Sequence, residues 1–223
     1  MMGKVATGTG RHKVILLGEH AVVHGYPAVG APLDAGVRVT IEDAGGVRPG
    51  LAVEGVRDPG KVGEALRRIA VAAGLGDRAI GARIETALEP GAGLGGSAAL
   101  CVGFARAVLA LAGEPGTRER TLELAAAGEA VFHGNPSGMD AWLASSEVPV
   151  LFSRRSAPEE VPLARDLHLA VLVTGSRAAT SEMVAEVARR LDADPAATRA
   201  TFEEIARLAL AGATAMRDGR IDD

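Results

Sequence analysis

The order of segments predicts a chain of mixed strands and helices, α/β or α+β, built as two lobes. Three observations carry this. Short apolar runs bounded by turn residues, among them Lys13–Leu17, Val37–Glu42, Val148–Phe152 and Leu167–Thr174, read as strands. Stretches with helical spacing stand between and after them: Lys61–Leu75, Ser97–Ala112, Arg118–His133, Thr180–Leu191 and Pro195–Arg217. A charged segment with two prolines, Ser153–Asp166, separates the two groups and reads as a linker.

Taken in order, Met1–Gly10 is rich in glycine and is expected to fray. Lys13–Leu17 is a buried strand that runs into Gly18-Glu19-His20, where a lysine, a glutamate and two histidines (His20 and His24) gather around a strand end. Ala28–Leu33 and Val37–Glu42 read as two further strands. In the second, Val37, Val39 and Ile41 alternate with Arg38, Thr40 and Glu42, the pattern of a half-exposed strand. Gly45–Gly50 is a loop and Leu51–Val56 another strand. Lys61–Leu75 is a helix stopped by Gly74 and Gly76. Arg78–Leu88 is a strand. Ser97–Ala112 is a helix almost without charge, interrupted only by Arg106, and must be buried nearly all round. Arg118–His133 is lined by Leu122, Leu124, Ala125 and Val131 and stopped by Gly134-Asn135-Pro136-Ser137-Gly138. Leu167–Thr174 reads as a strongly buried strand, and Pro195 opens the last helix at the position proline favours.

Composition excludes several function classes. With 223 residues, 48% hydrophobic and 23% charged, the chain is that of a soluble globular protein of one large or two small domains. A net charge of −4 gives no footprint for nucleic acid. The single cysteine, Cys101, rules out an internal disulfide, suits a reducing cytoplasm and reads as a core residue. No signal peptide and no apolar run of about 18 residues is present, so no membrane partner is expected.

The chemistry concentrates in Pro90-Gly91-Ala92-Gly93-Leu94-Gly95-Gly96-Ser97-Ala98, four glycines in six residues between a strand and an apolar helix. So few side chains let backbone N–H groups close on a ligand, and the helix start adds unpaired N–H groups and the positive end of its dipole. Phosphate suits this geometry. The alternative is a tight turn that needs left-handed residues. Gly91, Gly93 and Gly96 also satisfy G-x-G-x-x-G. The dinucleotide fold requires a strand after the helix, whereas Gly113–Gly116 and another helix follow here. The Walker and protein-kinase readings require a lysine after the loop. The three lysines, Lys4, Lys13 and Lys61, all precede it, so a lysine serving this site comes from upstream.

Three stretches, Lys13–Gly25, Pro90–Ala99 and Glu129–Asp140, together resemble mevalonate kinases, of the superfamily of galactokinase, homoserine kinase, mevalonate kinase and phosphomevalonate kinase (GHMP). The glycine loop alone indicates only the superfamily. Lys13-Val-Ile-Leu-Leu-Gly-Glu-His-Ala-Val-Val-His-Gly25 and His133-Gly-Asn-Pro-Ser-Gly-Met-Asp140 narrow it, and the likeness runs from about Lys13 to Val187. The resemblance implies an α+β fold with a ribosomal protein S5-like N-terminal lobe over residues 1–162 and a ferredoxin-like C-terminal lobe over 163–223. The chain departs from the family in three places. Gly96 stands where the family often has a second serine, and Gly10-Arg11-His12 precedes Lys13 where the family often has Pro-Gly. The family also carries a second glycine motif near its C-terminus. This sequence ends at Arg220-Ile-Asp-Asp223 without one and is expected to lack part of that lobe.

The resemblance implies ATP-dependent phosphorylation of mevalonate to 5-phosphomevalonate for isoprenoid synthesis, in the cytoplasm, and is compatible with a homodimer. It places the phosphates on the Pro90–Ala98 loop and Mg2+ on the Ser97 hydroxyl and Glu129 carboxylate. Asp140 becomes the base for the substrate hydroxyl, and Lys13 the cation beside it and the transferred phosphoryl. Glu19 and His20 would shape the substrate end, and Thr180 would stand near the phosphates. Each residue has a plainer reading. Glu129 could lie on a solvated face, or with His133 hold zinc, for which no third ligand is evident. Asp140 could cap a helix, Lys13 could be an ordinary strand-edge lysine, and His24, His133 and Trp142 read as structural. The rival functions are another small-molecule kinase of the superfamily and a nucleotide-binding module without catalysis.

Overall fold

The longest strand, β2 (Ala28–Asp43), joins most of the sheet together. The computed structural model describes residues 4–43, 50–56, 58–86, 88, 91–132, 138–172 and 180–220. Its remaining strands are β1 (Val5–Leu17), β3 (Gly50–Glu54), β4 (Ala79–Thr86), β5 (Val150–Ser153) and β6 (Ser156–Glu160). Its helices are α1 (Pro59–Ala72), α2 (Gly96–Ala112), α3 (Arg118–Phe132), α4 (Met139–Ser145), α5 (Thr180–Ala193) and α6 (Pro195–Asp218), with a short 3-10 helix at Ala21–His24. The sheet order is β3-β4-β2-β5-β6, with β1 also paired to β2. Two compact units share the chain. One takes Met1–His12, Leu33–Pro90 and Gly95–Ser145; the other takes Lys13–Pro32, Gly91–Leu94 and Ser146–Asp223.

In the first unit β2 pairs antiparallel with β4 from Val37↔Thr86 to Asp43↔Ile80, and β4 pairs parallel with β3. The parallel pair needs a crossover, which α1 supplies. Asp58 caps α1 by accepting from the Lys61 N–H at 3.2 Å, and Pro59 follows at the first helical position. The alternation read in Val37–Glu42 holds: Val37, Val39 and Ile41 are buried against α2 and its neighbours. As its sequence requires, α2 is buried nearly all round, with twelve buried residues including Cys101 and Phe104. Gly128 lets α3 close upon it. A Cβ at that position would stand 2.6 Å from Ile69 Cδ1 and 2.9 Å from Cys101 Sγ.

The glycine-rich start corrects the expectation of fraying, since β1 already runs from Val5. Glycine here reflects proximity rather than looseness. A Cβ at Gly8 would lie 2.1 Å from the Gly103 carbonyl oxygen, and one at Gly10 2.1 Å from that of Ala99. The strand backbone therefore rests directly on α2. The stretches 28–33 and 37–42 are also one strand rather than two. Pro32 lies between the residues paired with β5 (28–30) and those paired with β4 (37–43), so its missing N–H breaks neither ladder. Met139–Ser145, to which the sequence assigned no element, is helical.

In the second unit the expected linker 153–166 contains a strand. β6 pairs antiparallel with β5, Ser153 opposite Ser156, around the turn Arg154-Arg155. The Ser153 hydroxyl accepts from the Arg155 N–H at 3.1 Å and so closes the turn. Pro158 and the charged residues are tolerated because β6 is an edge strand. The expected buried strand at 167–174 is overturned over its described part. Residues 167–172 have no strand partner, and Leu169, Val171 and Leu172 are exposed. An apolar run forms a strand only when a neighbour completes its ladder, and the described residues offer none. α6 is capped by Asp194, which accepts from the Ala197 N–H at 3.0 Å, and ends at Gly219. Its Ala209 and Ala213 bury against Val29 and Val161.

Close packing of β1 on α2 makes a specific demand. Gly10→Ala should destabilise the protein by about 1–3 kcal/mol through overpacking. Gly50→Ala, where an added Cβ meets nothing within 4 Å, should not. Chemical denaturation of the two variants decides; equal stabilities would contradict the packing argument.

Candidate functional site

In the glycine loop, Gly91 (φ 87°), Gly93 (φ 77°) and Gly95 (φ 69°) all adopt left-handed backbone, a conformation side chains disfavour. The fourth glycine, Gly96, is already the first residue of α2. Gly95 occupies the N-cap and has no side chain to cap with. The helical ladder begins only at the Ala99 N–H, 3.0 Å from the Gly95 carbonyl oxygen, so the first-turn amides of residues 96–98 stand outside it. Ser97 is half-buried in this first turn, and Ala98 is buried. The loop is fastened by the Lys13 N–H, which donates to the Leu94 carbonyl at 3.0 Å. Leu94 is buried, and Gly91, Ala92 and Gly93 lie at or near the surface. Pro90 lies outside the described residues.

Two carboxylates mark the same helix from the side. Glu129 projects from α3 and is 3% exposed, which overturns the solvated-face reading. Burial, with the nearby Asp140 charge second, pushes its carboxyl up to about 7 from an ordinary 4.5. Cys101 stands one helical turn after Ser97 on the same face of α2. Its thiol is pushed far up by burial and then by the Glu129 charge, which marks it as inert core. Asp140 is half-buried in the first turn of α4, inside the helix rather than at its cap. Arg106, the one charge in α2, holds that short helix in place. It donates to the Thr9 carbonyl at 2.7 Å and to the Ser145 carbonyl, at the end of α4, at 3.0 Å. Trp142 of α4 packs beneath the Arg118 guanidinium, 5.1 Å from the ring centre, consistent with its structural reading.

A hard cation fits this donor set. Glu129 is a desolvated carboxylate whose ionisation is opposed by a second carboxylate, and a bound cation would relieve both penalties. Ser97 adds a hydroxyl, and both are oxygen ligands of the kind magnesium takes. Among the described residues no group of three His, Cys, Asp or Glu is placed to hold a metal by itself. His133, the partner in the zinc reading, lies outside them, as does the stretch 133–137 of the third motif.

In the second unit Lys13 lies in β1, only 6% exposed, so it is no ordinary strand-edge lysine. Gly18 is left-handed, and a Cβ there would come within 2.6 Å of Ala28. His20 follows at φ 66°. Among the described residues it alone has this conformation without being glycine, a strain that clusters at functional positions. Glu19 is exposed. His24 stacks on Phe202 at 5.0 Å, in keeping with a structural role. Thr180 opens α5, and its side chain lies outside the described residues. Among the described residues no helix is long and apolar enough to cross a membrane. Neither His12 nor Thr86 has a role that the sequence alone suggests. His12 is 3% exposed with its Nε2 3.1 Å from the Thr86 hydroxyl, and the only signal for it was the departure from the family pattern just before Lys13.

Residues 61–146 match the family of GHMP kinases N terminal domain. A mevalonate kinase of Pyrococcus horikoshii is 30% identical over 93% of this chain and 68% of its own length. One of Aeropyrum pernix is 31% identical over 86% and 64%. The structure of L. major mevalonate kinase in complex with R-mevalonate superposes with a TM-score of 0.83 at 28% identity, covering 96% of this chain and 69% of that one. Lactococcus lactis galactokinase, at 16% identity and a TM-score of 0.62, shares the fold. The chain thus spans about two thirds of the length of the curated relatives it matches.

The Glu129 shift has a measurable sign. Without divalent cations the folded protein holds a proton there that the unfolded chain has released, so stability falls as pH rises from 4.5 to about 7 and levels off above. Glu129→Gln removes this contribution. Its melting temperature should gain on the wild type across that interval, and a pH-independent difference between the two would show that Glu129 ionises freely.

Proposed function

The chain belongs to the mevalonate kinases of the GHMP kinase family, and on that premise we propose that it transfers the γ-phosphoryl group of ATP to the hydroxyl of mevalonate, giving 5-phosphomevalonate and ADP. The observation that carries the reading is the glycine loop. Three left-handed glycines open into a helix start that no side chain caps, where phosphate oxygens can take the place of a cap.

In this reading the amides of Gly91–Ala98 hold the β- and γ-phosphates. Ser97 and Glu129 would hold Mg2+, which when bound would neutralise charge on those phosphates. Burial and the Asp140 charge raise the Glu129 carboxyl to about 7, so a cation held there would favour its ionised form. The mevalonate hydroxyl oxygen forms the new bond to the γ-phosphorus as the bond to the ADP oxygen breaks. Asp140 takes the hydroxyl proton. Lys13 supplies a fixed, largely desolvated positive charge for the oxygens of the transferred group. His20, held in its left-handed conformation, and Glu19 line the acceptor end, and Thr180 serves the phosphates. We assign residues 1–162 to the ATP-binding lobe and 163–223 to the C-terminal lobe of a cytoplasmic enzyme that can form a homodimer and has neither nucleic acid nor membrane as a partner.

Turnover of ATP against mevalonate, galactose, homoserine and phosphomevalonate tests the substrate. Activity with mevalonate is expected. Activity with one of the others alone would shift the reading to a different kinase of the superfamily, and ATP binding without turnover on any would favour a binding module. Asp140 and Glu129 should part company. Asp140→Asn should keep Mg-ATP affinity while turnover falls by about 10²–10⁴, the usual loss with a general base. Glu129→Gln should weaken Mg-ATP binding and raise the magnesium requirement. The reverse pattern in titrations of the two variants would exchange their roles.

A further inference from the structure

Two departures from the family pattern, far apart in sequence, meet in the fold. Gly96 opens α2 without a Cβ, and one built there would rest 3.7 Å from His12 Cε1, an ordinary contact distance. The imidazole of His12 thus stands in the space that a side chain at 96 would face. His12 is 3% exposed, and its Nε2 lies 3.1 Å from the Thr86 hydroxyl oxygen. Thr86 is the last residue of β4, where the chain leaves the sheet for the glycine loop. Its single hydroxyl proton goes to the Leu88 carbonyl at 3.1 Å, so the oxygen accepts from His12 Nε2–H and from the Leu88 N–H at 3.3 Å. The next residue, Lys13, donates its backbone N–H to Leu94 in the loop. Consecutive residues of β1 therefore hold the segment at its entry, within the loop and at the helix start.

We infer that His12 is a positioning residue for the phosphate loop, bracing its entry through the hydrogen bond to Thr86 and standing opposite the helix start at Gly96. The inference rests on the reading of that loop as a nucleotide site. It assigns His12 no proton transfer and no contact with the acceptor. Its effect falls on nucleotide binding because Thr86, which it holds, and Gly96, which it faces, flank the amides that receive phosphate.

Equilibrium binding of Mg-ATP and of mevalonate, with melting temperatures, is measured for the wild type, His12→Ala, His12→Gln, His12→Gly, Gly96→Ser and the double variant His12→Gly/Gly96→Ser. The alanine variant should lose Mg-ATP affinity about 5–30-fold, the range of one or two lost supporting interactions, with mevalonate affinity unchanged. Glutamine, whose side-chain amide reaches Thr86 as Nε2 does, should recover most of the loss. The double variant should bind Mg-ATP more tightly than the sum of the His12→Gly and Gly96→Ser effects allows, a coupling expected of positions that face each other. Equal affinity in wild type and His12→Ala overturns the inference, as does a loss that neither glutamine nor the double variant recovers. A parallel loss for mevalonate would instead mark His12 as a general structural residue. If the alanine variant does not fold, glutamine against the double variant decides by the same criteria. A wild type that does not bind Mg-ATP sinks the nucleotide reading itself, whereas binding that ignores His12 sinks only this inference.

Discussion

Everything in the first unit depends on how closely the backbone of β1 can approach α2. The helix is apolar on all sides, so it has no polar face to leave in water and must be surrounded. Gly8 and Gly10 on the strand and Gly103 on the helix remove the side chains that would hold the two backbones apart. With the helix wedged between strand, α1 and α3, its N-terminus has little freedom. A phosphate-binding helix start works by presenting fixed amides, and fixing them is a matter of packing further down the helix. Arg106 extends the same control to α4. Its guanidinium ties Thr9 in the strand to Ser145 at the end of the helix that carries Asp140.

The carboxylates show what such packing does to chemistry. Glu129 has helical neighbours that any exposed glutamate could have, yet it lies against α2 because Gly128 beside it brings α3 in close. Desolvation then opposes its charge, and Asp140 opposes it further. Such a pair opposes its own ionisation, which is the physical ground on which we propose a cation there. Lys13 is the converse, a cation 6% exposed in a strand, suited to meeting the negative charge of a transferring group.

The main elements were legible wherever one local pattern governed a whole segment. The alternation of Val37, Val39 and Ile41, the apolar run of α2 broken only by Arg106, and the proline at the start of α6 each bear one interpretation. Legibility failed where the deciding partner was remote. Glycines near the N-terminus look the same whether they leave a chain loose or admit a helix at contact distance. The prolines and charges of 153–166 suit a linker and an edge strand equally, and only pairing with β5 distinguishes them. Residues 167–172 have the composition of a strand but no neighbour among the described residues to complete a ladder.

For the site, the sequence by itself determined the inventory. The glycine loop before an apolar helix, the lysine upstream, Glu129, Asp140 and the histidines around the first strand end are all visible there, because the identity of a chemical group is a local property. The tertiary structure decided which of them are withdrawn from water and what each one faces. It divided the four loop glycines into three that need left-handed backbone and one that does not. It buried Glu129, strained His20, and set His12 against Gly96 across some eighty residues of chain. Burial, strain and contact are relations between segments distant in sequence, fixed by the packing of α2 into its surroundings, and no periodicity within a single segment encodes them.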